Sequence, residues 1–428
     1  MSSSTLASHV LMLGILWVMT NCQSNQSKSQ DQISDEPLDQ QLNEVFIDQD
    51  LLGLSVVLIE KGQLSYQKHF GTIHPDSDEN LNGSTKFRIA SISKIIPSLA
   101  IMQLVERDLV HLDEDVSVYL GWKLRNPNHP HTPITLRQLM SHTSSIRDGE
   151  KYSNFAAHMT EKKLPLSELF QGDGQYYTES MFDRRKPGTY FTYTNCTWGL
   201  VASVIEKVAN QRFDVYTQEH IFQPLNITAS FNVSEIHDTY PLAGLYRYQD
   251  HQWVNQIDDY RKNSPIPRVF EGYELGQNGL LFGPQGNLRA STEDLVGLTQ
   301  LFLNQGTVNG NQIISKASLD QMLQIQWSYD GSNGDTWDEF FNAYGLGIHV
   351  LTNQPGKDIV FPGFNMVGHP GIAYGLLSDL YFDIESQTGI VFITNGKKQE
   401  FAYGTNSTFY SVEEDVFETL YPYLKKSQ

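Results

Sequence analysis

The chain has 428 residues, 39% apolar and 11% aromatic, which is material for one large core or two tightly packed subdomains. Its 30 Lys and Arg face 49 Asp and Glu, and a formal charge of -19 would repel a polyanion, so nucleic acid is excluded as a partner. Two cysteines, Cys22 and Cys196, are too few for a disulfide framework, and the 13 histidines include no HExxH pair, so neither a metal nor another cofactor is expected.

In chain order, Val10 to Met19 is an apolar run too short to span a bilayer but suited to the core of an export signal. Cys22 follows it where the lipidated cysteine of a bacterial lipoprotein stands, which implies an exported, periplasmic or membrane-anchored protein. Met19-Thr20-Asn21 departs from the lipoprotein pattern and MSSSTLASHV lacks Lys or Arg, so a plain secretory signal is the alternative. Residues 1–22 therefore read as a signal, 23–40 as a Ser/Gln/Asp-rich tether, and 41–424 as the folded domain.

Leu54 to Glu60 and Leu64 to Phe70 flank Lys61-Gly62 and read as a hairpin. Ile95 to Leu225 is dominated by helical spacing, with Ile95, Leu99, Met102 and Val105 on one face and Leu200, Val204 and Val208 on another. Tyr246 to Tyr273 is aromatic and polar; it reads either as a loop over a cleft, with Tyr246, Trp253, Tyr260 and Phe270 selecting a ligand, or as a packed surface loop. Tyr374 to Ile384 and Gly389 to Thr394 form a second hairpin, and Val412 to Leu424 a final helix. The expected fold is α/β (α+β): an antiparallel sheet flanked by helices, with a large, mainly helical insertion.

Ser91-Ile92-Ser93-Lys94 places a hydroxyl and an amine one helical turn apart, where a desolvated lysine can take the serine proton. Ser65-Tyr66-Gln67-Lys68 has the same spacing, but it alternates like a strand and its two ends point to opposite faces. Tyr193-Thr194-Asn195 offers an acid/base phenol and a positioning amide; Tyr152-Ser153-Asn154 repeats the spacing in a polar stretch read as a loop. Gly368-His369-Pro370-Gly371 places a histidine at the mouth of an edge strand, available to a substrate carboxylate or as a proton relay, beside glycines that allow close backbone approach.

Taken in order, Ser91/Lys94, Tyr193/Asn195 and His369/Gly371 resemble the signatures of the serine β-lactamase and penicillin-binding-protein superfamily, particularly its class C-like branch. FRIASISK, ITLRQLMSHTSSI, PGTYFTYTNCTWGL, PQGNLRASTEDL and YGLGI extend the likeness across residues 40 to 424. The resemblance implies Ser91 as acylated nucleophile, Lys94 as its base, Tyr193 as acid/base partner and Asn195 as positioning amide. It also implies an oxyanion hole from the backbone amides of Ser91 and Ile372, each such donor being worth about 3 kcal/mol. His369 stands where the lactam-processing members carry lysine, and Pro370 replaces a hydroxyl residue. The histidine tilts the expected substrate toward small esters, amides or peptides, with β-lactamase or DD-carboxypeptidase activity as the alternative and a non-catalytic scaffold as the reading from another class; the proline either narrows the substrate range or reshapes the strand. His142 and Thr143 read as braces and Cys196 as a small buried hydrophobe.

Overall fold

The computed structural model describes residues 36–266 and 270–426. The export signal, Cys22 and most of the expected tether lie outside the described residues. The tether ends sooner than its composition suggests. Helix α1 spans Glu36–Asp48 and buries Leu38 and Leu42 against the sheet, because two leucines a turn apart give an otherwise polar segment one apolar face.

The sheet has eight antiparallel strands. They are β1 (Gly53–Glu60), β2 (Gln63–Gly71), β3 (Trp327–Ser328), β4 (Ala343–Tyr344), β5 (His349–Val350), β6 (Val367–Ala373), β7 (Leu376–Asp383) and β8 (Thr388–Thr394), in the spatial order β2-β1-β8-β7-β6-β5-β4-β3. Both expected hairpins form, and the first and last parts of the chain pair directly through Leu54 opposite Thr394.

The central strands are buried on both faces. Val57, Ile59, Val391 and Ile393 enter one core, while Leu54, Val56, Leu58, Ile390 and Phe392 enter another. Helices α1 and α5 (Ser411–Lys426) cover the second face; α4 (Thr292–Leu303) and the helical region cover the first. Each fully buried Val, Leu or Ile contributes about 1.5–3 kcal/mol, so a sheet covered on both faces stabilises itself far more than an exposed one.

Helix α2 (Ile95–Glu106) is buried at every residue from Ile95 to Leu104. The one-sided pattern expected from spacing is therefore incomplete: this is a core helix, apolar all round. It packs on α3 (Thr197–Ala209), which closes at Asn210 in the left-handed conformation. The Tyr246 region contains a strand pair, Leu245–Gln249 with Gln252–Ile257, rather than a loop alone.

Candidate active site

The site lies where the start of α2, the start of α3 and strand β6 meet. A short pair, Phe87–Arg88 with Arg289–Ala290, fixes the chain just before the nucleophile. Ala90 then adopts φ 48°, a strained value for a residue with a Cβ, and a single 3-10 turn over Ala90–Lys94 leads into α2. Ser93 is structural: its hydroxyl donates to the Ala90 carbonyl at 2.6 Å and accepts from the Leu288 amide at 3.1 Å. That leaves Ser91 as the hydroxyl facing the cleft.

Lys94 is fully buried, and its Nζ lies 2.9 Å from Ser91 Oγ, 3.1 Å from Asn195 Oδ1 and 2.7 Å from the Gln285 carbonyl oxygen. Burial depresses its pKa to about 7, and the charge of Asp148 opposes that shift. Asn195 Oδ1 and the Gln285 carbonyl can only accept. A neutral Lys94 satisfies both with its two N–H groups and keeps its lone pair for the Ser91 hydroxyl.

Tyr193 is partly exposed to the cleft, but desolvation of its phenol raises the pKa well above the usual value, against a hydrogen bond with Ser91 that lowers it. At neutral pH the phenol is therefore protonated while about half of Lys94 is neutral. Of the two, Lys94 is the group able to take the serine proton in the free protein. Three rings hold Tyr193 in place: His142 at 4.4 Å, Trp337 at 5.0 Å and Phe341 at 5.1 Å between centroids. His142 in turn accepts a hydrogen bond from the Thr194 amide at 3.2 Å, so it sets the tyrosine rather than merely bracing the helices.

Asp148 is a residue the sequence pattern did not flag. Its carboxylate accepts from the backbone amides of Asn195 at 3.0 Å and Cys196 at 2.8 Å and from Asn195 Nδ2 at 3.0 Å. It thus caps the start of α3 and orients the amide that faces Lys94. A carboxylate a few residues past the buried His142–Ser145 turn was the available signal, but spacing alone gives it no partner. Cys196 is buried, and its thiol is pushed up by the apolar surroundings.

Several expectations need correction. His369 is not at a strand mouth: it sits inside β6, with no exposed surface. Its Nε2 bonds the Tyr344 hydroxyl at 2.8 Å and its Nδ1 the Pro370 carbonyl at 2.6 Å, and burial holds it well below the usual histidine range. A neutral imidazole with both nitrogens engaged behind the cleft wall is not placed to meet a substrate carboxylate. Pro370 is tolerated because β5 pairs only with Val367 and Gly368, leaving an unpaired outer edge beyond them. Gly371 allows a close approach, but of the protein's own backbone: a Cβ there would stand 2.6 Å from the Ile89 carbonyl oxygen. Ile372 lines the cleft and is 45% exposed.

Tyr152 opens a short helix, Tyr152–His158, rather than a loop. The aromatics of 246–273 do not line the cleft: Tyr246 hydrogen-bonds His74, Tyr260 bonds Asp258, and Phe270 stacks on Phe282. The cleft, about 150 Å³, is walled instead by Trp337, Phe340, Phe341, Tyr403 and Tyr410. Ser65 and Lys68 lie on β2; Ser65 bonds the Leu58 carbonyl and Lys68 pairs with Asp39.

A family model described as Beta-lactamase matches residues 33–409. The chain belongs to the beta-lactamase family. Among curated members, Protein flp of Staphylococcus aureus (strain N315) is 24% identical over 261 residues, covering 59% of this chain and 45% of that protein. The chain thus spans under half the length of that relative. Two solved structures share the beta-lactamase fold. EstCE1, described as a hydrolase with promiscuous acyltransferase activity, superposes with a TM-score of 0.64 at 19% identity, covering 90% of this chain and 99% of that one. D-amino acid amidase from Ochrobactrum anthropi SV3 does so with a TM-score of 0.60 at 18% identity, covering 92% and 100%.

Proposed function

We propose that this chain is a serine hydrolase that cleaves carboxylic ester or amide bonds through an acyl-enzyme on Ser91. The observation that carries the reading is Lys94: a fully buried amine 2.9 Å from the serine oxygen, with two fixed acceptors and a pKa near 7. Lys94 Nζ takes the Ser91 proton as Oγ attacks the substrate carbonyl, and the backbone amides of Ser91 and Ile372 hold the oxyanion. As the tetrahedral adduct collapses, the proton passes through Tyr193 to the departing alcohol or amine. Water then attacks the ester on Ser91, giving its proton back along the same route and releasing the acid.

An ester or amide is preferred over a lactam because His369 is a buried neutral group and supplies no cation to a drug carboxylate. The structural relative described as a D-amino acid amidase supports an amide substrate, and EstCE1, described as a hydrolase with promiscuous acyltransferase activity, supports acyl-transfer chemistry. Export rests on Val10 to Met19 and is tested by recovery of the chain outside the cytoplasm; lipidation rests on Cys22, and fatty-acid labelling that disappears in Cys22→Ala is its test. The catalytic test is a panel of p-nitrophenyl esters, D-alanyl amides and a chromogenic cephalosporin. Ester or amide turnover that is lost in Ser91→Ala supports the proposal; rapid cephalosporin turnover without ester or amide turnover overturns its choice of substrate.

A further inference from the structure

The cleft beside Ser91 ends on an acid that the proposed chemistry does not use, Glu413, and a second acid, Asp379, lies buried behind it. Strand β7 alternates, so Leu377, Asp379 and Tyr381 share one face, the face that α5 covers. Asp379 stands opposite Pro370, and Leu377 opposite Ile372, across the β6–β7 ladder; Pro370, Ile372 and Leu377 all line the cleft. Above Asp379, the first turn of α5 supplies Glu413, which also lines the cleft. Glu413 Oε2 accepts from the Tyr410 amide at 2.7 Å. Asp379 has no exposed surface, and neither of its oxygens accepts a hydrogen bond from an N–H or hydroxyl; the group it meets is the Glu413 carboxyl.

A buried carboxyl pair is costly unless something compensates it. Asp358 and the phenols of Tyr381, Tyr403 and Tyr410 are the other titratable groups around it, and His349 reaches it only through Tyr381. None of these offers a positive charge at neutral pH, since burial keeps His349 neutral with a pKa of about 3, and no Lys or Arg among the described residues acts on either carboxyl. Burial raises both acids, Glu413 to about 7, so near neutrality the pair passes from no charge to a single negative charge. Trp337, Phe340, Tyr403 and Tyr410 line the same cleft as Glu413, an aromatic wall of the kind that attracts cations.

We infer that this end of the cleft is a recognition site for an alkylammonium group on the substrate, held by Glu413 within the aromatic wall, with Asp379 backing Glu413 from behind. The inference rests on the proposed acyl-enzyme chemistry at Ser91 for its substrate, but the site itself is independent of turnover. The chain's charge of -19 attracts the same class of molecule.

The test compares two p-nitrophenyl esters of matched shape, those of 4-(trimethylammonio)butyrate and 5,5-dimethylhexanoate. The quaternary group does not titrate, and both esters depend equally on Lys94, so the ratio of their kcat/KM values isolates the acid pair. The expected ratio favours the cation by about tenfold or more at about pH 8 and falls toward unity at about pH 6. In Glu413→Gln it stays near unity at both values. Calorimetric binding of the two corresponding primary amides to Ser91→Ala reads the same preference without catalysis. Preference in binding with no turnover of either ester supports the site while contradicting the acyl-enzyme reading. Turnover or binding that is indifferent to the charge overturns the site.

Discussion

Replacing Lys94 by methionine separates what the lysine costs from what it does. In the folded chain its pKa falls from 10.5 to about 7 because the ammonium is stripped of water. A tenfold change in proton affinity corresponds to about 1.4 kcal/mol, so holding the cation costs about 5 kcal/mol at acidic pH. The sign follows from which state binds the proton more tightly. Between about 7 and 10.5 the unfolded chain does, so the penalty is absent above the unfolded value, grows as pH falls, and is complete below about 7. At pH 7 it is about 4 kcal/mol and at pH 9 about 2. Methionine fills similar space but leaves Asn195 Oδ1 and the Gln285 carbonyl without a donor, a loss of about 1–3 kcal/mol each that does not vary with pH. Urea denaturation of both proteins at the two pH values should therefore show the wild type gaining about 2 kcal/mol relative to Lys94→Met on going from pH 7 to 9. Ester turnover should be lost in the variant at both. A stability difference that stays constant with pH would refute the claim that burial holds Lys94 near neutrality.

Other perturbations follow from the same geometry. Tyr193→Phe removes the phenol but keeps the ring stacked among His142, Trp337 and Phe341, so kcat/KM should fall by about 10²–10⁴ with little loss of thermal stability. Asp148→Asn removes the charge that holds the Lys94 pKa up, so the rising limb of the pH–kcat/KM profile should move below about 7; a shift to higher pH contradicts the assignment. His369→Ala should cost about 2–3 kcal/mol in denaturation by emptying a buried, hydrogen-bonded site. It should slow carboxylate-bearing and neutral esters by the same factor, whereas a selective rise in KM for the carboxylate would restore the histidine to substrate contact.

The hairpins, the terminal helix and the spacing of Ser91 to Lys94 and of Tyr193 to Asn195 were legible in the sequence, because each depends on residues close together along the chain. The cleft wall was not legible there. Trp337, Phe340 and Phe341 come from an irregular segment in which Trp337, Asp338 and Glu339 all have positive φ, and no periodicity announces such a turn. Tyr403 and Glu413 reach the site only because α5 folds back across the sheet. His369 was misjudged for a related reason. The two-residue strands β3, β4 and β5 are too short to show alternation, yet they bury β6 from its outer side and close Tyr344 over the imidazole. Asp148 acts on residues 47 and 48 positions away, a relation that belongs to the fold and not to the local chain.

The claim that Ser91 is the acylated group is tested most directly by treating the folded protein with a fluorophosphonate and mapping the adduct by peptide mass spectrometry. A single adduct on the peptide carrying Ser91 is predicted, forming faster as pH rises through about 7 with the loss of the Lys94 proton, and absent from Ser91→Ala. An unlabelled Ser91, or labelling that persists in Ser91→Ala, contradicts it.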